Sequence, residues 1–377
     1  MQPIKIILPP QTIGIIGGGQ LGRMMAIAAR YMGYRIVVLD PAPNCPTAQV
    51  ADEQITADYT DLTAVKELIE KADVITYEFE NVDLKAAELI QNAGKLPQGA
   101  LALEVTQNRE KEKQLVDDLE LPVPAFRIVK TEEDCREALS IIPLPAVIKT
   151  CRGGYDGKGQ LKLVTEEDKN EALAFFEEHG YCIIERWIPF DKEISVVFTR
   201  SQQGDISFFP IAENEHRKHI LYKTTVPADI DAALEEKAYA MTAKIAERME
   251  IVGTFAIEMF VGEDTIYINE MAPRPHNSGH YTIEGCNVSQ FAQHIRAICG
   301  LPFVPVNLYE PTAMVNILGE SLSKSIQFTT AHNFGFLHLY GKEEPKEKRK
   351  MGHITFTAET PEALQKQLDI FEEAIQQ

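Results

Sequence analysis

The chain of 377 residues reads as an α/β fold that passes into α+β. A doubly wound parallel sheet is expected first, then a mixed central domain, then a small C-terminal one. Three observations predict this. Strands and helices alternate over roughly the first 105 residues, the pattern of parallel sheets with crossover helices. Pro122 and Pro124 then interrupt the alternation, and two apolar runs further on flank Gly262-Glu263-Asp264 like the arms of a hairpin. The length exceeds one ordinary core and suggests domains of roughly 100–200 residues.

Residues 13–16 form a short apolar strand, glycines follow, and 21–32 carry helical patterning. Residues 35–39 are a second strand, 61–71 a helix and 74–77 a third strand. In such a sheet, ligands sit at the carboxyl ends of the strands. Residues 109–119 are a charged helix former that ends before Pro122. Strands are then expected at 146–150, 160–164, 181–185 and 194–199. A helix over 231–249 leads into hairpin arms at 254–261 and 265–271. After Pro302 and Pro305 a smaller tail carries a basic segment at 346–350 and a final helix over 361–375.

Apolar residues make up 45% and charged residues 25% of the chain, inside the globular range. No run approaches the ~18 apolar residues of a membrane-spanning helix. The apolar start, Met1 to Ile16, is broken by Pro9-Pro10 and lacks a small-residue cleavage site, so no export signal is expected. Six scattered cysteines without a C-x-x-C pair predict reduced thiols in a cytoplasmic protein rather than a disulfide framework or a zinc site. A net charge of −19 argues against a nucleic-acid partner, since phosphate backbones need a basic footprint. It leaves room for a small anionic substrate held by a few local cations.

Gly17-Gly18-Gly19-Gln20-Leu21-Gly22 satisfies G-x-G-x-x-G between a strand and a helix, and Asp40 closes the second strand. Read alone, this spacing suits NAD or FAD. Any phosphate, including that of a sugar phosphate, suits such a helix N-terminus, and a tight turn with no ligand is the lesser alternative. A second loop, Gly153-Gly154-Tyr155-Asp156-Gly157-Lys158-Gly159, follows Lys149 and precedes Gln160. Its glycines allow the backbone to fold over phosphates, with Lys149 and Lys158 supplying charge. It is no Walker motif, because no G-K-[ST] opens a helix. A hairpin turn would account for Asp156-Gly157 but not for the flanking glycines and lysines. The segment Glu185-Arg186-Trp187-Ile188 can read adenine with backbone groups, and Glu193 can hold ribose hydroxyls. Taken singly, Glu185 and Glu193 are also ordinary strand-end charges.

Glu258 and Glu270 lie on opposite arms of the expected hairpin. With Gly262 to Asp264 as the loop, 261 pairs with 265, 258 with 268, and Glu270 opposes Ala256. Both carboxylates then share a face at diagonal positions, with Cα atoms ~7–8 Å apart, within reach of a shared divalent ion. The alternative is two solvent-facing charges. Next comes Ala272-Pro273-Arg274-Pro275-His276-Asn277-Ser278-Gly279-His280, a stiff loop with a guanidinium, two imidazoles, an amide and a hydroxyl. Beside a metal-bound triphosphate it suits a small oxyanion. The i, i+4 histidines lack a helix, so hydrogen bonding is expected there rather than zinc ligation.

Over essentially its whole length the chain resembles the ATP-grasp superfamily and, within it, the N5-carboxyaminoimidazole ribonucleotide synthases. The resemblance rests on Gly17-Gly18-Gly19-Gln20-Leu21-Gly22-Arg23-Met24, the Gly153 to Gln160 loop, Asn269-Glu270-Met271-Ala272-Pro273-Arg274-Pro275-His276-Asn277-Ser278-Gly279-His280 and Arg349-Lys350-Met351-Gly352-His353. Formate-using ligases and related carboxylases share the two glutamates and the arginine, but not the run after them. The resemblance implies a pre-ATP-grasp domain over 1–108, an ATP-grasp domain with a mobile lid over 109–306 and a C-terminal domain over 307–377. It implies ATP-driven carboxylation of 5-aminoimidazole ribonucleotide by bicarbonate, by way of carboxyphosphate, in a homodimer.

By the same likeness, Arg109, Lys149 and Lys158 contact ATP phosphates or the loop above them, together with Gly154, Gly157, Gly159 and Gln160. Glu185, Arg186, Trp187, Ile188 and Glu193 hold adenosine, and His216 is a further nucleotide-site position. Glu258 and Glu270 bind Mg2+, with Mn2+ a substitute, and Asn269 sits beside them. Gln20, Leu21 and Glu78 meet the ribonucleotide, with Glu80 a neighbour. Tyr155, Asp156, Arg274, His276, Lys342, Arg349 and Lys350 surround its phosphate and imidazole. Asp156, Arg274, His276 and Lys342 are the candidates for chemistry, with Asp156 a proton acceptor and Arg274 a partner for carboxyphosphate. The stretch from Lys342 to Arg349 is one residue longer than the family spacing, which leaves Lys346 and Lys348 as alternatives for one basic contact. Outside this family, a glycinamide ribonucleotide ligase using formate, a dinucleotide-dependent oxidoreductase and a non-catalytic nucleotide sensor are the competing readings.

Overall fold

The computed structural model describes residues 5–154, 158–262 and 265–376. The first part is a four-stranded parallel sheet of β1 (Thr12–Ile16), β2 (Arg35–Leu39), β3 (Glu53–Ile55) and β4 (Val74–Tyr77), in the order β3-β2-β1-β4. Helices α1 (Gln20–Tyr31), α2 (Leu62–Lys71) and α3 (Leu84–Asn92) belong to this part, followed by the short α4 (Leu101–Thr106). Asp61 caps α2 through two backbone N–H groups, which explains why that helix starts where it does. The strand order reverses at β1, so the crevice between the ends of β1 and β4 is the place for a ligand. The expected third strand, 74–77, is the fourth, because β3 is too short and polar to show periodicity.

Helix α5 (Arg109–Asp118), capped by Asn108, leads to a second sheet: β5 (Phe126–Val129), β6 (Ala146–Thr150), β7 (Gln160–Leu163) and β8 (Cys182–Arg186). Its order is β5-β8-β6-β7, and α6 (Glu132–Ile141) and α7 (Asp168–His179) pack with it around a separate core that includes Val129, Ile148 and Ile184.

The largest layer is a nine-stranded antiparallel sheet. It contains β9 (Lys192–Arg200), β10 (Ile206–Phe208), β11 (Ala212–Arg217), β12 (Ile220–Val226), β13 (Gly253–Val261) and β14 (Ile266–Ala272). Helix α8 (Ala232–Arg248) packs on it through Met241 and Ile245, in a core shared with Phe198, Phe255 and Ile257. The chain then forms α9 (Thr282–Gly285) and α10 (Gln290–Ile298), which docks against α1 through Phe291 and Ile295. The last strands, β15 (Thr312–Leu318), β16 (Phe336–Leu339) and β17 (Lys350–Thr357), extend the same sheet, since β15 pairs with β12. Helices α11 (Leu322–Ala331) and α12 (Pro361–Gln376) pack on them. The C-terminal segment therefore continues the central sheet.

Candidate active site

A cavity of about 660 Å³ lies where the three parts meet, and its wall draws on all of them. The first glycine turn forms one side. Three of its backbone donors are taken by carboxylates: Gly18 N–H donates to Asp40 Oδ2 at 2.6 Å, and Gly19 and Gly22 N–H groups both donate to the Glu78 carboxylate, the latter at 2.7 Å. Tyr59 hydroxyl also donates to Asp40. A pyrophosphate approaching these glycines would have to displace two carboxylates, which weighs against the dinucleotide reading of Gly17 to Gly22. Burial, together with Asp40, pushes the Glu78 carboxyl up, against the pull of its two N–H donors. Gly19, Gln20, Leu21, Glu78 and Glu80 all face the cavity.

The small sheet forms the opposite side. Lys149 and Gln160 are register partners on β6 and β7, at the base of the second glycine loop. There Gly153 and Gly159 have φ of 76° and 68°, and Thr150 N–H donates to Gly159 O at 2.8 Å. Arg109 lies under this base, close to Gly154. Lys158 lines the cavity, while Tyr155, Asp156 and Gly157 lie outside the described residues. On β8, Glu185 is buried and pairs with Lys149 at 2.9 Å and Lys113 at 3.7 Å. Burial pushes its carboxyl up, but the two ammonium groups overcome this and hold it at about 2. Arg186, Trp187 and Ile188 follow along the same wall. Glu193 meets His216 Nδ1 at 2.9 Å, and this contact outweighs burial and raises the imidazole above its ordinary value.

The acidic hairpin differs from its expected register. Met259 pairs with Ile268, and Glu258 stands directly opposite Glu270 rather than diagonal to it. The cause is a β-bulge: Asn269 is an additional residue on β14, so Asn269 and Glu270 both face the cavity. Directly opposed residues have Cα atoms about 4.5–5.5 Å apart, closer than the diagonal arrangement. Burial, with Glu193 and Glu270 adding like charge, pushes the Glu258 carboxyl up to about 8. Two opposed carboxylates fit a divalent cation, whose charge would let Glu258 ionise. Among the described residues no group of three or more His, Cys, Asp or Glu could hold a metal unaided. Magnesium needs only one or two carboxylates beside phosphate oxygens and waters.

Beyond the hairpin, Arg274 Nε donates to Glu80 Oε2 at 2.7 Å, tying the loop to the first domain. His276 Nδ1 contacts Ser278 Oγ at 2.8 Å, and its Nε2 lies 3.4 Å from Glu258. Burial and the Arg274 charge drive this imidazole well below its usual range, so it is neutral. Gln290 clamps the loop by accepting from His276 N–H at 2.9 Å and donating to His276 O at 2.7 Å. From the tail, Lys342 Nζ reaches Gln20 Oε1 at 2.8 Å and Lys350 O at 2.7 Å. Burial, with Arg349 nearby, lowers its ammonium to about 8. Lys350 also lines the cavity. Arg349 is exposed and donates to Glu344 O. Lys346 is exposed and paired with Glu344, and Lys348 is exposed with its N–H on Glu320.

Three family models match the chain in succession: a ribonucleotide synthetase preATP-grasp domain over residues 10–107, an ATP-grasp domain over 114–291, and a phosphoribosylaminoimidazole carboxylase C-terminal domain over 312–367. The chain is 48% identical over 353 residues to the N5-carboxyaminoimidazole ribonucleotide synthase of Bacillus subtilis (strain 168), covering 93% of each. The chain belongs to the N5-carboxyaminoimidazole ribonucleotide synthase family. A crystal structure of such a synthetase in complex with ADP superposes with a TM-score of 0.95 at 49% identity, covering 98% of each chain. The Aspergillus clavatus synthase in complex with ADP and 5-aminoimidazole ribonucleotide gives 0.90 at 29%, covering 97% of this chain and 98% of that one.

Membership of this synthase family sets aside the oxidoreductase reading, in agreement with the occupied glycine turn. Several wall residues escaped sequence reasoning. Phe190 and Phe260 stack at 4.4 Å in a cavity lining that also includes Pro124 and Val147, and His219 enters from a turn with positive φ. Their types are those of any core or turn, so no local signal set them apart. Asn277 was in view within the motif, but without a role.

Proposed function

We propose that this chain uses ATP and bicarbonate to carboxylate the exocyclic amine of 5-aminoimidazole ribonucleotide, releasing ADP and phosphate. The observation that carries this reading is the opposed pair Glu258 and Glu270 in one cavity with Arg274 and His276, between a glycine-looped sheet and the first glycine turn. In this reading Arg109, Lys149 and Lys158 hold the triphosphate, and the segment from Glu185 to Ile188, with Glu193 and His216, holds adenosine. Magnesium held by Glu258 and Glu270 would neutralise charge on the β- and γ-phosphates during transfer. A bicarbonate oxygen attacks the γ-phosphorus as the bond to ADP breaks. Arg274, oriented by Glu80, stabilises the carboxyphosphate anion. That species separates into CO2 and phosphate, and the amine nitrogen takes the carbon and loses a proton. Asp156 is the candidate acceptor. His276, neutral and fixed by Ser278 and Gln290, presents an N–H rather than a positive charge.

Gln20, Leu21, Glu78, Lys342 and Lys350 would line the ribonucleotide, with Tyr155 and Arg349 completing the set. Lys342, bridging the glycine turn and β17, is the strongest candidate for its phosphate. Domain limits at 108 and 306, a homodimer and a cytoplasmic location complete the proposal. Six free cysteines, all buried, support a reducing compartment. No helix among the described residues is long and apolar enough to cross a membrane.

The test is ADP formation with labelled bicarbonate or labelled formate, with and without 5-aminoimidazole ribonucleotide. ADP release is expected with bicarbonate and not with formate, and acid-labile label in the nucleotide only when 5-aminoimidazole ribonucleotide is also present. Incorporation of formate would overturn the reading.

A further inference from the structure

Strand β14 is the terminal strand of the large sheet, so its outer edge needs partners from elsewhere. One helix face and the segment after it supply them. Ile268 N–H donates to Pro122 O at 2.9 Å. Lys113 Nζ donates to Asn269 O at 2.8 Å, Arg109 Nη1 lies 3.6 Å from Glu270 Oε2, and Glu112 Oε1 accepts from Met271 N–H at 2.7 Å. Residues 109, 112 and 113 share one face of α5 by the i, i+3, i+4 rule. That face therefore contacts residues 269, 270 and 271 in turn, which span the bulge.

Burying Glu112 and Lys113, at 2% and 1% exposure, is costly unless both are bonded, and here each is bonded to β14 backbone. A bulge leaves backbone groups outside the ladder, and these two side chains meet such groups on either side of Glu270. Without them, simple alternation would turn one of Asn269 and Glu270 away from the cavity. Lys113 also reaches Glu185 on β8, so the same ammonium joins the acidic hairpin to the nucleotide wall.

We propose that Glu112 and Lys113 are positioning residues that hold the Asn269 bulge in register, so that Glu270 faces Glu258 and the pair can grip a divalent ion. This rests on the reading of Glu258 and Glu270 as the metal pair. The alternative is two buried polar side chains that serve stability alone.

The two roles separate by direct metal binding. Mn2+ is titrated by electron paramagnetic resonance in the presence of ADP, below the melting temperature of each variant, and ribonucleotide affinity is measured by calorimetry. Loss of a residue that orients a metal ligand typically weakens the metal about 10–100-fold, so Glu112→Ala should raise the Mn2+ dissociation constant at least about tenfold. Ribonucleotide affinity should stay at the parent value. Glu112→Gln keeps an oxygen acceptor for Met271 N–H and should recover the metal affinity. Should Glu112→Ala not fold, Glu112→Asp, one methylene shorter, and Lys113→Met give the same test, each expected to weaken Mn2+ selectively. Parent Mn2+ affinity in a folded Glu112→Ala, equal damage by Glu112→Gln, or equal loss of metal and ribonucleotide would each overturn the proposal. Glu270→Gln is the control: if it too leaves Mn2+ binding unchanged, the metal reading itself falls, whereas loss there with none in Glu112→Ala removes only the positioning role.

Discussion

At the scale of single residues, buried carboxylates set the state of the site: Glu258 meets the like charges of Glu193 and Glu270, and Glu78 accepts from two N–H groups of the first glycine turn. Glu258, Glu270, Arg274 and His276 stand out by type and spacing, whereas the partners that set their charge come from distant segments. The Glu78 carboxylate fills the first glycine turn from 56 residues away, which no local pattern displays. Glu258 gives the sharpest pH prediction. Its carboxyl is raised to about 8 in the metal-free fold, so over the window from its ordinary value, near 4.5, up to about 8 the folded state holds a proton that the unfolded chain has released. The contribution of this group to stability therefore falls as pH rises through that window. Metal binding must expel the proton, so affinity weakens by up to about tenfold per pH unit below 8. Mn2+ titrations at pH 6.5 and 8 should show this difference, and the melting temperature of metal-free Glu258→Gln should lose that component of the pH slope. Equal affinity at both pH values would contradict it.

At the scale of elements, the strands and helices read from the sequence lie within a residue or two of their observed limits, because alternation and caps are local signals, but α3, α4, α6, α7, α9 to α11 and the strands β5, β10 to β12 and β15 to β17 were not foreseen. The bulge was less visible: apolar spacing along β14 slips from two to three between Ile268 and Met271, a faint trace of the additional residue. Strand β3 and the pairing of β15 with β12 left no trace, since one is short and the other joins segments far apart in sequence. The second glycine loop carries a prediction of its own. Gly159 has φ of 68°, and a Cβ there would meet Thr150 Oγ1 at 2.7 Å. Gly153 has φ of 76° with nothing within 4 Å. Left-handed backbone costs a non-glycine residue roughly 1–2 kcal/mol, so both alanine variants carry that strain and only Gly159→Ala adds a clash. Gly159→Ala should therefore weaken ADP binding by about tenfold or more, with Gly153→Ala closer to the parent. Calorimetric titration with ADP checks the order, and a larger loss in Gly153→Ala would refute it.

At the scale of the whole molecule, three sequence units share one cavity, and the last is not an appendage. Strands β15 to β17 extend the central sheet from β12, and Met314 is buried in a core with Val197, Phe209 and Tyr281. Lys342 links this segment to Gln20 in the first unit. Cutting the chain after residue 306 would strip β12 of its neighbour and uncover that core. Exposed strand edges and apolar faces pair with other chains or fluctuate. A fragment of residues 1–306 should therefore bind a hydrophobic dye and lack a cooperative thermal transition by circular dichroism, with no binding of 5-aminoimidazole ribonucleotide. A fragment that melts cooperatively near the parent temperature would show that the C-terminal strands contribute only substrate contacts, and the view of the large sheet as one folding unit would have to be dropped.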